Sequence, residues 1–137
     1  MNQAALLMPV FVLILWTFII TLIMAYGRVR FTKNPQKDAA HTRDLKGLLP
    51  AWVERTSDNY NHLFEQPTVF YAISFVIWGL NHTDSIHLYC AWTYVVIRII
   101  HSILQATINL VWFRFSLFIL SWIALSIMIF REALMII

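Results

Sequence analysis

Arg55, Arg98, Arg114 and Arg131 stand in or beside segments that otherwise read as membrane-spanning helices. A charge held at membrane depth costs roughly 2.5–3.5 kcal/mol even on the lenient insertion scale, so each should face a partner, a ligand or a wet cavity. Two of these arginines belong to longer polar stripes. Successive helical residues rotate by about 100°, which puts Arg55, Asp58, Asn59, His62 and Gln66 in one sector, with Glu65 at its margin. Asn61 falls off that sector unless the helix is distorted near Pro67. Tyr94, Arg98, His101, Ser102, Gln105 and Asn109 fill a similar sector further along. In lipid such stripes must turn toward each other or toward a neighbouring subunit. They can pair among themselves, Glu65 with Arg98 for instance, but measured interhelical hydrogen bonds contribute only about 0.6 kcal/mol each. The whole constellation therefore points to a bound polar molecule as well as to packing. His62 and His101 on facing helices would suit a haem only in apolar surroundings, and both sit among charges. A zinc site from His62, Glu65 and His101 has acceptable ligand types without a diagnostic spacing, so no metal is assigned.

The elements that must position these residues are apolar. The chain has 137 residues, 60% of them hydrophobic and only 12% charged, with a mean hydropathy of +0.68. That is far from the soluble average. Residues 5–26 carry no charge and exceed the roughly 20 needed to span a bilayer. A cleavable signal peptide fits poorly, because the run is long, lacks a basic start and is followed by no small-residue cleavage site. The pattern predicts an all-α integral membrane protein, one domain over residues 1–137. Its helices should span about 4–26, 51–78, 86–113 and 115–137. Gly27 is read as the end signal of the first. Pro67 should kink the second at about Leu63–Phe64.

The net charge of +3 conceals a bias. Arg28, Arg30, Lys33, Lys37, Arg43 and Lys46 fall in the connection 27–50, opposed there only by Asp38 and Asp44. Beside a spanning helix this is the positive-inside signature, placing the loop in the cytoplasm or in contact with anionic lipid heads, rather than a nucleic-acid surface. The breakers Pro35, Gly47 and Pro50 leave room there for a short interfacial helix. The loop 79–87 has no Lys or Arg, as expected for the opposite side. Cys90, the one cysteine, excludes a disulfide framework and reads as a packing residue. Trp16, Trp78, Trp92, Trp112 and Trp122 read as lipid-facing or interfacial, and Arg131-Glu132 as a snorkelling or self-paired helix end.

Arg28-Val-Arg30-Phe with Asn34-Pro35, then Val53-Glu54-Arg55, Asn61-His62-Leu-Phe-Glu65-Gln-Pro67, Phe70-Tyr71-Ala72, Arg98-Ile-Ile-His101-Ser102 and Arg114 follow one another in an order and spacing that resembles the MAPEG family. These are the membrane-associated proteins in eicosanoid and glutathione metabolism, and the likeness to bacterial-type members covers nearly the whole chain. It implies a homotrimer of four-helix subunits, with glutathione in a polar pocket between neighbours and a lipophilic substrate arriving from the bilayer. Carried over residue by residue, Arg114 is the catalytic group that holds the thiol as thiolate. Arg30, Asn61, His62, Glu65, Arg98, His101 and Gln105 form the glutathione pocket. Three positions depart from the family pattern: Asp58 stands where an arginine is expected, Gln105 where a tyrosine is, and His62 where an asparagine is, although a one-residue shift offers Asn61. The resemblance thus implies a glutathione transferase or peroxidase in a bacterial inner membrane. The rival functions are a non-enzymatic binder of a lipid, quinone or other small molecule on the same fold, and a small proton-coupled transporter using Glu65.

Overall fold

In the computed structural model, which describes residues 2–34 and 47–137, the chain is all helical among the described residues, as the pattern predicts. A 3₁₀ turn, Gln3–Leu6, leads into α1, Leu7–Phe31. The others are α2, Ala51–Leu63; α3, Gln66–Gly79; α4, Ser85–Ala106; and α5, Val111–Ile136. Residues 35–46 of the basic connection, with Lys37, Arg43, Lys46 and any interfacial helix there, lie outside the described residues. α2 and α3 together make one interrupted rod, so the described residues form a four-rod bundle. Gln3–Phe31, Ser85–Ala106 and Val111–Ile136 are long and apolar enough to cross a membrane. Large apolar side chains such as Phe11, Leu15 and Phe18 of α1 and Ile123 and Phe130 of α5 lie exposed on the bundle surface, the arrangement expected where lipid is the solvent.

The apolar core lies between the rods. Leu6, Val10, Leu13, Phe70, Ile77, Tyr94, Val95, Leu125 and Met128 are buried together, and the Phe70 and Tyr94 rings stack at 4.5 Å. Trp16 differs from its expected lipid-facing role. Its indole Nε1 donates to Ser102 Oγ at 2.8 Å, because a buried polar edge needs a partner. Trp122 likewise packs against the core, whereas Trp112 is 85% exposed. Cys90 is partly buried against the core.

Gly27 does not end the first helix. α1 continues to Phe31, and Thr32 closes it by donating both its N–H (3.0 Å) and its hydroxyl (2.6 Å) to the Arg28 carbonyl. The glycine serves close approach instead: a Cβ there would lie 2.8 and 2.9 Å from the Val53 methyls and 3.0 Å from the Trp52 ring. The second expected helix is broken rather than kinked. Pro67 has no N–H for the Leu63 carbonyl and its ring crowds that carbonyl, so α2 stops at Leu63 and Glu65 leaves helical geometry at φ −89°, ψ −94°. Between α4 and α5, Asn109 adopts φ +52°, a left-handed turn that Asn tolerates. It ends α4 at Ala106, seven residues before the expected boundary.

The break leaves carbonyls to satisfy, and Arg98 meets that of His62. Its guanidinium, 2% exposed, donates to the His62 carbonyl at 2.9 Å and to Gln66 Oε1 at 3.1 Å. The expected Glu65–Arg98 pair is not made; Glu65 bonds His62, and Gln66 occupies the buried position. Gln66 Oε1 also accepts the Ser121 hydroxyl at 3.0 Å. Ser102 Oγ, which receives Trp16, receives Asn59 Nδ2 as well, at 2.7 Å. Each long rod is thereby tied into one polar layer.

At the other end, Arg131 and Glu132 pair not with each other but with the α3–α4 loop. Arg131 Nη2 bonds Asp84 Oδ2, and Glu132, 1% exposed, meets His82 Nδ1 at 2.8 Å. Asp84 also caps α4, accepting from His87 N–H at 2.9 Å. Burial alone would raise the Asp84 pKa; the His87 N–H bond and the Arg131 guanidinium outweigh it and hold the carboxyl below its ordinary value.

Three outcomes are expected. Gly27→Ala should destabilise the detergent-purified protein by about 1–3 kcal/mol through overpacking, despite alanine's better helix propensity, and Val53→Ala should restore part of the loss in thermal unfolding. Gln66→Leu, which strips a charge-assisted acceptor from Arg98, should cost about 1.5–3 kcal/mol in the same measurement. Because folding depresses the Asp84 pKa, its contribution is present above the unfolded value and is lost as pH falls through the lower, folded one. Acid titration of the melting temperature should therefore show a decline that Asp84→Asn reduces.

Candidate functional site

Where the α2–α3 break faces the turn between α4 and α5, the bundle opens into a polar cavity of about 220 Å³. α2 contributes Arg55, Asp58, Asn61 and His62, and the break contributes Glu65. Gln105 comes from the last turn of α4, Asn109 from the left-handed turn, and Arg114 from the first turn of α5. The two stripes read from the sequence therefore face each other here. Asn61, off the ideal sector, lines the cavity where α2 terminates two residues later.

Helix ends hold the walls in place. Arg55 Nε reaches the Ala106 carbonyl at the end of α4, 3.4 Å away, while Arg98 of α4 holds the His62 carbonyl at the end of α2. Each of the two helices thus supplies an arginine to the other's unsatisfied C-terminal carbonyls. Arg114 Nη1 bonds Asn109 Oδ1, tying α5 to the turn. His62 Nδ1 and Glu65 Oε2 are 2.9 Å apart, with side chains 40% and 63% exposed. The His101 ring stands edge-on to His62 with centroids 6.3 Å apart.

The candidate residues separate into three groups. Asn61, His62, Glu65, Gln105 and Arg114 line the cavity together. Arg98 and His101, 2% and 5% exposed, are not among its lining residues; Arg98 supports the wall through the His62 carbonyl, and His101 through the His62 ring. Arg30 is elsewhere: it is exposed near the end of α1, its guanidinium over the Phe31 ring at 5.8 Å. Arg55, Asp58 and Asn109 also line the cavity, beyond the site residues that the sequence resemblance implies. Membership of the stripes was the signal that could have found them.

Chemically the cavity is charge-balanced, with Arg55 and Arg114 against Asp58 and Glu65. Two buried atoms at its wall, Gln105 Oε1 and Arg114 Nε, have no hydrogen-bond partner among the described residues, a costly state unless something polar meets them. Among the described residues no group of three or more His, Cys, Asp or Glu is placed to hold a metal, so His62, Glu65 and His101 do not assemble into the zinc site weighed from sequence. The arrangement suits a small molecule carrying both an ammonium and carboxylates, and it offers an imidazole and a cation to a reacting group.

Among curated proteins and solved structures, none matches the chain. The MAPEG family model matches residues 6–134, from the 3₁₀ turn nearly to the end of α5 and through every residue of the cavity. With its bundle of apolar helices and that match, the chain belongs to the MAPEG family of integral membrane proteins.

Proposed function

We propose that this protein is a glutathione-dependent transferase or peroxidase acting on a lipophilic compound, working as a homotrimer in a bacterial inner membrane with its basic connection in the cytoplasm. The observation that carries the reading is the cavity in which Arg114, Arg55, Glu65 and Gln105 converge. Glutathione has two carboxylates and an amine, and the donor set fits it: guanidinium forks for carboxylates, an acid for the amine. The unpartnered Gln105 Oε1 and Arg114 Nε add a free acceptor and a free donor at the same wall.

Glutathione supplies the nucleophilic or reducing sulfur. Arg114 is placed at the mouth of α5 to stabilise negative charge on it, since a neighbouring cation raises the thiolate fraction. Glu65, Asn61, His62 and Gln105 bind and orient the tripeptide, and Arg98 and His101 hold that wall in place from behind. The cavity of about 220 Å³ is smaller than a typical ligand site of roughly 300–1,000 Å³. This agrees with a site completed by a neighbouring subunit, to which the exposed Arg30 is free to contribute. A lipophilic partner would approach along the apolar outer surface of the helices, where lipid itself lies.

Asp58 favours a second reading. It lines the cavity beside Arg114, where a carboxylate opposes an anionic ligand, so a non-enzymatic binder of a different small molecule is the alternative. Native mass spectrometry separates the two by the mass of what co-purifies.

Under the leading reading, Arg114→Ala lowers turnover of glutathione with a lipophilic electrophile by about 10²-fold or more, as for loss of an electrostatic stabiliser. Thermal unfolding and oligomer mass should change little. Turnover unchanged in that variant contradicts the assignment of Arg114.

A further inference from the structure

The cavity holds a feature that thiolate stabilisation by Arg114 leaves unused: an imidazole oriented by a carboxylate. We propose that His62 and Glu65 form a proton-transfer dyad, with His62 Nε2 taking the proton of the bound thiol and returning it to the product. The inference rests on the glutathione reading above and extends it with a second catalytic residue.

The geometry is that of a positioned base. Nδ1 of His62 lies 2.9 Å from Glu65 Oε2, the two residues standing on either side of the end of α2 at Leu63. A carboxylate accepts from Nδ1–H, so the neutral ring carries its lone pair on Nε2. Both residues line the cavity with Arg114. The dyad is also held still. Arg98 fixes the His62 carbonyl, the His101 ring abuts the His62 ring edge-on, and the Glu65 carbonyl accepts the Thr68 hydroxyl at 2.6 Å. The charged and titratable groups around it are Arg55, Asp58 and Glu65 on the α2 side, Arg98 and His101 on α4, and Arg114 on α5.

The proton and electrons balance with an α,β-unsaturated ketone as the electrophile. The S–H bond breaks, its electron pair stays on sulfur, and the proton goes to His62 Nε2, leaving an imidazolium against Glu65. A C–S bond forms at the β-carbon and the alkene pair moves to the α-carbon. That carbon then takes the proton from Nε2, and His62 is neutral again. Arg114 faces the anion throughout, so the dyad moves the proton while the arginine holds the charge.

The test uses the full-length protein in detergent, reduced glutathione and a lipophilic α,β-unsaturated ketone. The wild type should show kcat/KM rising with pH along a one-proton limb. At a glutathione concentration that calorimetry shows to be saturating for the variant, His62→Gln should fall in kcat by on the order of 10²-fold, with its limb displaced upward toward the ionisation of the thiol itself. Added imidazole should restore part of the rate. Glu65→Gln, which keeps the hydrogen bond's shape without its charge, gives a second variant and should lower kcat while keeping a displaced limb. If His62→Gln retains both rate and limb while binding glutathione, the dyad is overturned and the glutathione reading stands. If the wild type binds no glutathione at millimolar concentration, the functional reading fails and the dyad with it.

Discussion

A helix that stops inside a bundle leaves carbonyl oxygens that neither lipid nor the next turn can satisfy. Two such ends meet in this protein, and each is met by an arginine from the other helix: Arg98 of α4 on His62 at the end of α2, Arg55 of α2 on Ala106 at the end of α4. The exchange explains why charge is tolerated in so apolar a chain. Arg98 is costly to bury, but its fork finds a carbonyl and the Gln66 side chain where the Pro67 break has made them available. Remove the break and Arg98 loses its acceptor; remove Arg98 and the broken end loses its donor. The cavity exists because the two ends lie side by side, with the α4–α5 turn closing it and bringing Arg114 to its edge.

The same constraint organises the rest of the core. Gln66 passes its tie to Ser121 of α5, and Ser102 collects Trp16 of α1 and Asn59 of α2. These bonds are specific in direction, whereas the apolar contacts around them are interchangeable, so the polar layer sets the rotational register of the rods. The opposite end is built differently. There Arg131 bonds Asp84 and Glu132 meets His82, which fastens the α3–α4 loop to α5.

Much of this was legible in the sequence. Helical rotation alone put Arg55, Asp58 and His62 on one face and Arg98, His101 and Gln105 on another, and in lipid such faces have nowhere to turn but inward. Pro67 announced the interruption. What was not legible depended on neighbours distant in the chain. Gly27 reads as a stop by local rule, yet its meaning lies in the Val53 and Trp52 side chains pressed against it. Glu65 looked like the partner of Arg98 because opposite charges attract, but the break turns Glu65 outward and Gln66 inward. Composition reads Trp16 as lipid-facing and Arg131 as snorkelling or self-paired, while Ser102 and Asp84, far off in sequence, decide their positions.

The glutathione reading proposed for this charge-balanced cavity is open to measurement. Its most direct test is thermal unfolding of the detergent-purified protein with and without millimolar reduced glutathione. A ligand present at about 100 times its dissociation constant stabilises a fold by roughly 2.7 kcal/mol, which is readily seen as a rise in melting temperature. Such a rise is expected, as is its disappearance in Arg114→Ala and Glu65→Ala. No rise at millimolar glutathione would contradict it and would leave Asp58 as the residue that reserves the cavity for another ligand.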